Sequence, residues 1–135
     1  MGGRRHYRAA SGLDLAANGM AASKECGVKA LQVAGIVICG HAYYGAVKGA
    51  MSPESVEPLP NVGAWLEHAD TGQKHDLDDA IEANVLAQLG HLRTYDFINK
   101  AVGPGSLALS GCVYDIASGL VRIFDGTEFV VPTVA

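Results

Sequence analysis

Apolar positions recur at helical spacing through most of the first hundred residues and become strand-like runs after position 105, with one β-branched island between. Met20, Ala21, Lys24, Val28 and Leu31 share one helical face, predicting an amphipathic helix from about Met20 to Leu31. Gly35 stands in the connection that follows, and Ile36 to Cys39 read as a buried strand. Tyr44 to Met51 predict a short helix opening on the small residues Gly45 and Ala46. Ser52-Pro53-Glu54 predicts a fresh helical start, with serine capping and proline in the first helical position. Glu57-Pro58-Leu59-Pro60 is a turn, after which Val62, Trp65, Leu66 and Ala69 mark another helix. Asp76 is placed to cap the longest helix, whose stripe is Leu77, Ala80, Ile81, Val85, Leu89 and Leu92. Thr94 is expected to cap a further turn carrying Phe97, Ile98 and Val102, and Gly103-Pro104-Gly105 ends all helical character. The remainder reads as strands over 107–116, 120–124 and 129–131, the first two joined by a tight turn at Ser118-Gly119.

The order α-β-α-α-α-β-β predicts an α/β layer fold with a small, mostly parallel sheet flanked by helices. Residues 19–135 are read as a single domain behind a poorly ordered lead-in, 1–18. The Ile36–Cys39 strand feeds a short loop that presents His41 before a helix begins. In α/β proteins, chemical groups are placed at that carboxyl edge of a sheet.

Composition narrows the function classes. A chain of 135 residues, 49% apolar and of mean hydropathy +0.17, can bury a real core and is not a disordered tail. No apolar run approaches the roughly 20 residues that cross a bilayer, so no membrane role is expected. A net charge of −4 disfavours nucleic-acid binding through a basic surface; the basic cluster is Arg4, Arg5, His6 and Arg8. Ala9 to Asn18 is too polar and short to complete a twin-arginine export signal, and position 6 lacks the serine or threonine of a myristoylation signal. Cys26, Cys39 and Cys112 are odd in number and lack CxxC spacing, so they are expected as buried free thiols in a cytoplasmic protein.

The loop also carries a resemblance. Cys39-Gly40-His41, followed by Gly45-Ala46 and Lys48, resembles the zinc loop of the β-class carbonic anhydrases, Cys-Gly-His-x-x-Cys-Gly-Ala. Further segments match in order over roughly residues 19–131. They are Ala21-Ala22-Ser23 with Glu25, Val47-Lys48-Gly49-Ala50, and Leu59-Pro60-Asn61-Val62 with Trp65-Leu66 and His68-Ala69. Glu82-x-Asn84-Val85-Leu86-x-Gln88-Leu89, Leu92-Arg93-Thr94-Tyr95 and Gly111-x-Val113-Tyr114-Asp115-Ile116 with Ser118-Gly119 complete the series. The resemblance implies a zinc enzyme that interconverts CO2 and bicarbonate, usually built on dimers, with zinc held by Cys, His and Cys. It also implies an Asp-Arg pair beside the first cysteine. Zinc acidifies a bound water to a pKa of about 7, making hydroxide at neutral pH. Three protein ligands leave the fourth position open for it.

Against that pattern, His41 stands at the histidine ligand position and Tyr44 replaces the second cysteine. A phenol with a pKa of about 10 is a poor zinc ligand. No Cys-x-Asp-x-Arg motif occurs in residues 1–25; Tyr7-Arg8-Ala9 at most echoes the segment that follows it in the family. Two of the three protein zinc ligands are therefore missing and the Asp-Arg pair is absent. The expectation is a family core without its N-terminal arm and first strand, which binds zinc poorly and is inactive alone. The alternative is a non-catalytic interaction subunit, a homodimer or a hetero-oligomer with a full-length relative. A third reading borrows ligands from such a relative across a dimer interface.

Other candidates read more simply. Cys39 lies two residues before His41 and is a weak substitute ligand; Cys26 and Cys112 are expected to pack. His68 and His75, among Asp70, Asp76, Asp78 and Asp79, mark either a weak surface metal site or, preferably, a solvated turn that caps the next helix. His91 is expected at the surface near Arg93, and Trp65 in the core or a dimer face. Tyr43-Tyr44 either stack on a small ligand or fill the space that metal and substrate take in the family.

Overall fold

In the computed structural model, which describes residues 19–42 and 44–133, the β-branched island becomes one edge of a four-stranded sheet. Its strands are β1 (Gly35–His41), β2 (Ala108–Tyr114), β3 (Val121–Phe124) and β4 (Phe129–Val130), in that spatial order. The helices are α1 (Gly19–Glu25), α2 (Gly45–Met51), α3 (Pro60–Leu66), α4 (Leu77–Leu92) and α5 (Asp96–Val102). The α/β fold is the one expected. The sheet is mixed: β1 and β2 run parallel over seven residue pairs, whereas β2–β3 and β3–β4 pair antiparallel over three and two. The expectations for residues 1–18, including the lead-in and Tyr7-Arg8-Ala9, lie outside the described residues, as does Tyr43.

Helix α4 organises the core. The Asp76 side chain accepts from the backbone N–H of Asp78 and Asp79, capping the helix as its position predicted. Its apolar stripe lies across β1 and β2. Ala80, Ile81 and Val85 pack with Val47 of α2 and Val113 of β2, and Leu92 packs with Val28, Val33, Ile98 and Leu107. Two glycines permit the close approach. A Cβ at Gly40 would stand 2.9 Å from Ile81 Cγ2, and one at Gly111 would stand 2.8 Å from Val85 Cγ1.

The other face of the sheet carries Val37, Cys39, Cys112, Tyr114 and Ile123, and Val37 is 60% exposed. Among the described residues no helix packs on it. Burial along β1 alternates accordingly, with Ile36, Ile38 and Gly40 turned toward α4.

Several boundaries differ from expectation for local reasons. The first predicted helix changes character at Cys26, where a π-helical turn runs to Ala30 and closes with Leu31 N–H on Cys26 O at 3.0 Å. Pro53 takes the first helical position, but Ser52 Oγ caps nothing and only a 3-10 turn forms over Pro53–Val56. Thr94 does not cap α5; its hydroxyl donates to His91 O and closes the end of α4, while extended Tyr95 precedes α5. Strand β2 stops at Tyr114 because Asp115 starts a turn, its N–H bonding Leu120 O and its carbonyl accepting from Gly119.

Candidate functional site

The parallel ladder delivers His41 to the carboxyl end of β1, in register with Tyr114, and the Ala42 N–H extends the ladder onto Tyr114 O at 2.8 Å. His41 Nδ1 lies 3.0 Å from Ala42 O. A carbonyl only accepts, so Nδ1–H is the donor and the open lone pair of the neutral ring is on Nε2. The backbone therefore orients the imidazole much as an outer partner orients a metal-binding histidine.

Tyr44 is the residue against that ring. It precedes α2 with φ −59° and ψ 107°, and its carbonyl accepts the Lys48 N–H, so its backbone is tied to the helix start. The ring centroids of His41 and Tyr44 are 4.6 Å apart at 50°, and Tyr44 also packs against the Val47–Ile81 cluster. Burial raises the Tyr44 phenol above its ordinary value, so it is neutral at physiological pH. The tyrosine thus packs between the histidine and the α2–α4 cluster. The chemistry of this donor set is sparse: one imidazole nitrogen and a protonated phenol. Among the described residues no three His, Cys, Asp or Glu side chains converge as a metal cluster.

The cysteines depart from the expected buried thiols. Cys26 and Cys39 are exposed and Cys112 is half-buried. Cys39 Sγ donates to Gly40 O at 3.4 Å. Cys39 and Cys112 are register partners on β1 and β2, and the Cys112 thiol is pushed up to about 12. Burial is the larger cause, followed by its hydrogen bond to Cys39 and the charge there. Sequence reading treated Cys112 as core. What it missed was the pairing of two strands about seventy positions apart, for which the chain carries no local signal.

The acidic turn serves helix capping. Besides the Asp76 cap, Asp70 Oδ1 accepts the Gly72 N–H. The turn is tied to α4 through two buried polar side chains. Asn84 Oδ1 accepts from Asp70 N–H at 3.0 Å and from Gln88 Nε2, and Gln88 Nε2 also donates to His68 O at 3.1 Å. His91 Nδ1 bonds Gln88 Oε1 at 3.2 Å and is only partly exposed. Trp65 is half-buried, edge-on to His68 with centroids 6.5 Å apart, rather than in the core. Glu82 accepts from Arg122, pinning α4 to β3. Two surface grooves, of about 640 and 530 Å3, are lined by neither His41 nor Tyr44.

A carbonic anhydrase family profile matches residues 6–121. The chain belongs to the β-carbonic anhydrase family. It is 40% identical over 129 residues to carbonic anhydrase 1 of Escherichia coli O157:H7, covering 87% of this chain and 59% of that protein. It is 39% identical over 121 residues to a carbonic anhydrase of Pseudomonas aeruginosa, covering 82% and 55%. Among solved structures, the β-carbonic anhydrase CcaA superposes with a TM-score of 0.79 at 34% identity, covering 87% of this chain and 65% of that one. A β-carbonic anhydrase of Coccomyxa, solved with acetazolamide, superposes with a TM-score of 0.64 at 25% identity, covering 78% and 53%. The chain thus spans somewhat over half the length of these two curated carbonic anhydrase relatives.

Proposed function

We propose that this β-carbonic anhydrase chain keeps the family core but does not by itself hold zinc or hydrate CO2. The observation that carries this reading is the neutral Tyr44 phenol packed on His41, where the family pattern calls for a thiolate. A catalytic zinc site takes three protein donors, in deprotonated form, beside an open position. His41 Nε2 supplies one. Residues 1–25 of this chain hold no cysteine, aspartate other than Asp14, or Cys-x-Asp-x-Arg pattern to supply the rest. The donor set does not fit the ion. CO2 and bicarbonate remain the family's substrates, and a cytoplasmic location is part of the same reading.

The test is zinc content per chain by elemental analysis, with CO2 hydration measured on the same purified sample. The expected result is substoichiometric zinc and no activity above buffer, in both the parent and Tyr44→Cys. The variant restores only one thiolate beside the imidazole. Stoichiometric zinc with hydration activity in the parent would overturn the proposal outright; tight zinc in Tyr44→Cys alone would show that Tyr44 is the sole obstacle.

A second reading, self-association as a non-catalytic subunit, is favoured by the uncovered apolar sheet face around Val37, Tyr114 and Ile123. An unpaired edge strand and a contiguous apolar face ordinarily need cover. Among the similar structures, the β-carbonic anhydrases of Sordaria macrospora are described as tetrameric.

A further inference from the structure

The two thiols on the uncovered sheet face have no part in the reading above. Cys39 of β1 and Cys112 of β2 are direct partners in a parallel ladder, so their side chains leave the sheet on the same side. Adjacent strands lie about 4.8 Å apart, inside the Cα–Cα range of about 4.4–6.8 Å over which disulfides form. Neither thiol is sealed off: Cys39 is exposed and Cys112 partly so, on a face that no described helix covers. Their neighbours on that face are the apolar Val37 and Ile123 together with Ser110, His41 and Tyr114.

We propose that Cys39 and Cys112 form a reversible dithiol–disulfide site that reacts with small-molecule disulfides. The exposed Cys39 sulfur, as thiolate, attacks one sulfur of the incoming disulfide. One small thiol leaves and a mixed disulfide forms on Cys39. Cys112, whose raised thiol makes this the slow step, then gives up its proton and attacks Cys39 Sγ; the Cys39–Cys112 bond forms and the second small thiol leaves. Two protein thiols are oxidised, one small disulfide is reduced to two thiols, and the two protein protons end on the released thiols. Closure gives up the Cys39 hydrogen bond to Gly40 O. A pair directly opposite in a parallel ladder has Cβ atoms near the strand spacing of about 4.8 Å, beyond the range of about 3.5–4.5 Å in disulfides, so closure must draw β1 and β2 together. The closed bond is consequently strained, which favours ready reduction over permanent stapling.

The test treats the full chain with excess oxidised glutathione, alkylates remaining thiols, and reads free-thiol count, intact mass and disulfide-linked peptides. The expected outcome is a fall from three free thiols to one in the fraction that retains Cys26 as thiol. That product has lost the mass of two hydrogen atoms, gives a Cys39–Cys112 linked peptide, and returns to three thiols with dithiothreitol. Cys26→Ser leaves the pair untouched, and its count falls from two to none. Cys39→Ala gives no internal disulfide. Persistence of Cys39 as a glutathione adduct beside a free Cys112, disulfides between chains at either residue, or no reaction at Cys39 would each overturn the proposal. Because Cys26→Ser keeps both strand thiols, misfolding of a strand variant does not remove the test.

Discussion

Substituting Gly111 by alanine tests whether helix α4 is seated on the sheet as closely as the fold requires. The new methyl would stand 2.8 Å from Val85 Cγ1 and 2.9 Å from Leu89 Cδ1, both on α4. Carbon contacts are comfortable at about 3.5–4.0 Å, so roughly 0.6–1.2 Å of separation has to be found. Val85 is 1% exposed and hemmed by Ile81 and Val113, so it has little room to yield. Overpacking of this kind costs about 1–3 kcal/mol, while replacing a strand glycine returns about 0.5–1 kcal/mol. A net loss of about 1–2 kcal/mol is expected. The mechanism has a sharper signature than the loss itself. Val85→Ala alone removes two buried methyl groups and costs about 2–3 kcal/mol with its cavity. In the Gly111→Ala, Val85→Ala pair the clashing Cγ1 is gone and the new methyl fills the space, so the double variant should beat the sum of the singles by about 1 kcal/mol. Urea unfolding followed by circular dichroism reads all four proteins, with a constant m-value confirming one transition. A Gly111→Ala protein as stable as its parent, or an additive double variant, would refute the seating of α4 described above.

Two further predictions concern assembly and acid. If the uncovered sheet face self-associates, sedimentation velocity should give a dimer or larger species whose size persists on dilution, and Ile123→Glu, which places charge on that face, should shift it to monomer. A parent that sediments as monomer at every concentration ends that reading. At the β2–β3 turn, the Ser118 hydroxyl and then the Ala117 N–H hold the Asp115 carboxyl below the ordinary value of about 3.9. A depressed carboxyl stabilises the turn above its unfolded value and loses that contribution as pH falls through the folded value, so the hairpin should loosen only in acid below about pH 4. In an NMR titration, Ser118→Ala should move the Asp115 midpoint upward; an unchanged midpoint would remove the hydroxyl as the cause.

The fold was legible where a pattern is local. Asp76 announces α4 because an N-cap and the apolar stripe behind it need no distant partner, and Ser118-Gly119 announces the hairpin for the same reason. Thr94 misled because a threonine at a helix boundary can serve either neighbour; here its hydroxyl closes α4 instead of opening α5. Asn84 and Gln88 were visible as polar residues on the longest helix and matched the family pattern. Their work in tying residues 68–70 to α4 depends on a loop fourteen to twenty positions away, and no helical period encodes it. The Cys39–Cys112 partnership is the extreme case, since it exists only once β1 and β2 pair.

The same distinction explains why the zinc-loop motif says more about architecture than about chemistry. In Cys39-Gly40-His41, the glycine is demanded by packing: a side chain there would meet Ile81 and Val85 on α4. Gly111, in the last of the matching segments, answers the same helix from the neighbouring strand. Buried Val47 and Val113 complete that cluster, and both also fall in matching segments. The matches concentrated in α4, β1 and β2 are therefore what close helix–sheet contact requires, whatever the loop holds. Position 44 is different. It lies at the rim of the cluster, where a half-buried tyrosine is accommodated with its ring on His41 and its backbone in the start of α2. A change there alters the donor set without disturbing the seat of α4. The core thus accommodates a tyrosine at position 44 and keeps its helix–sheet seat, which is why family membership and metal chemistry have to be argued from different residues.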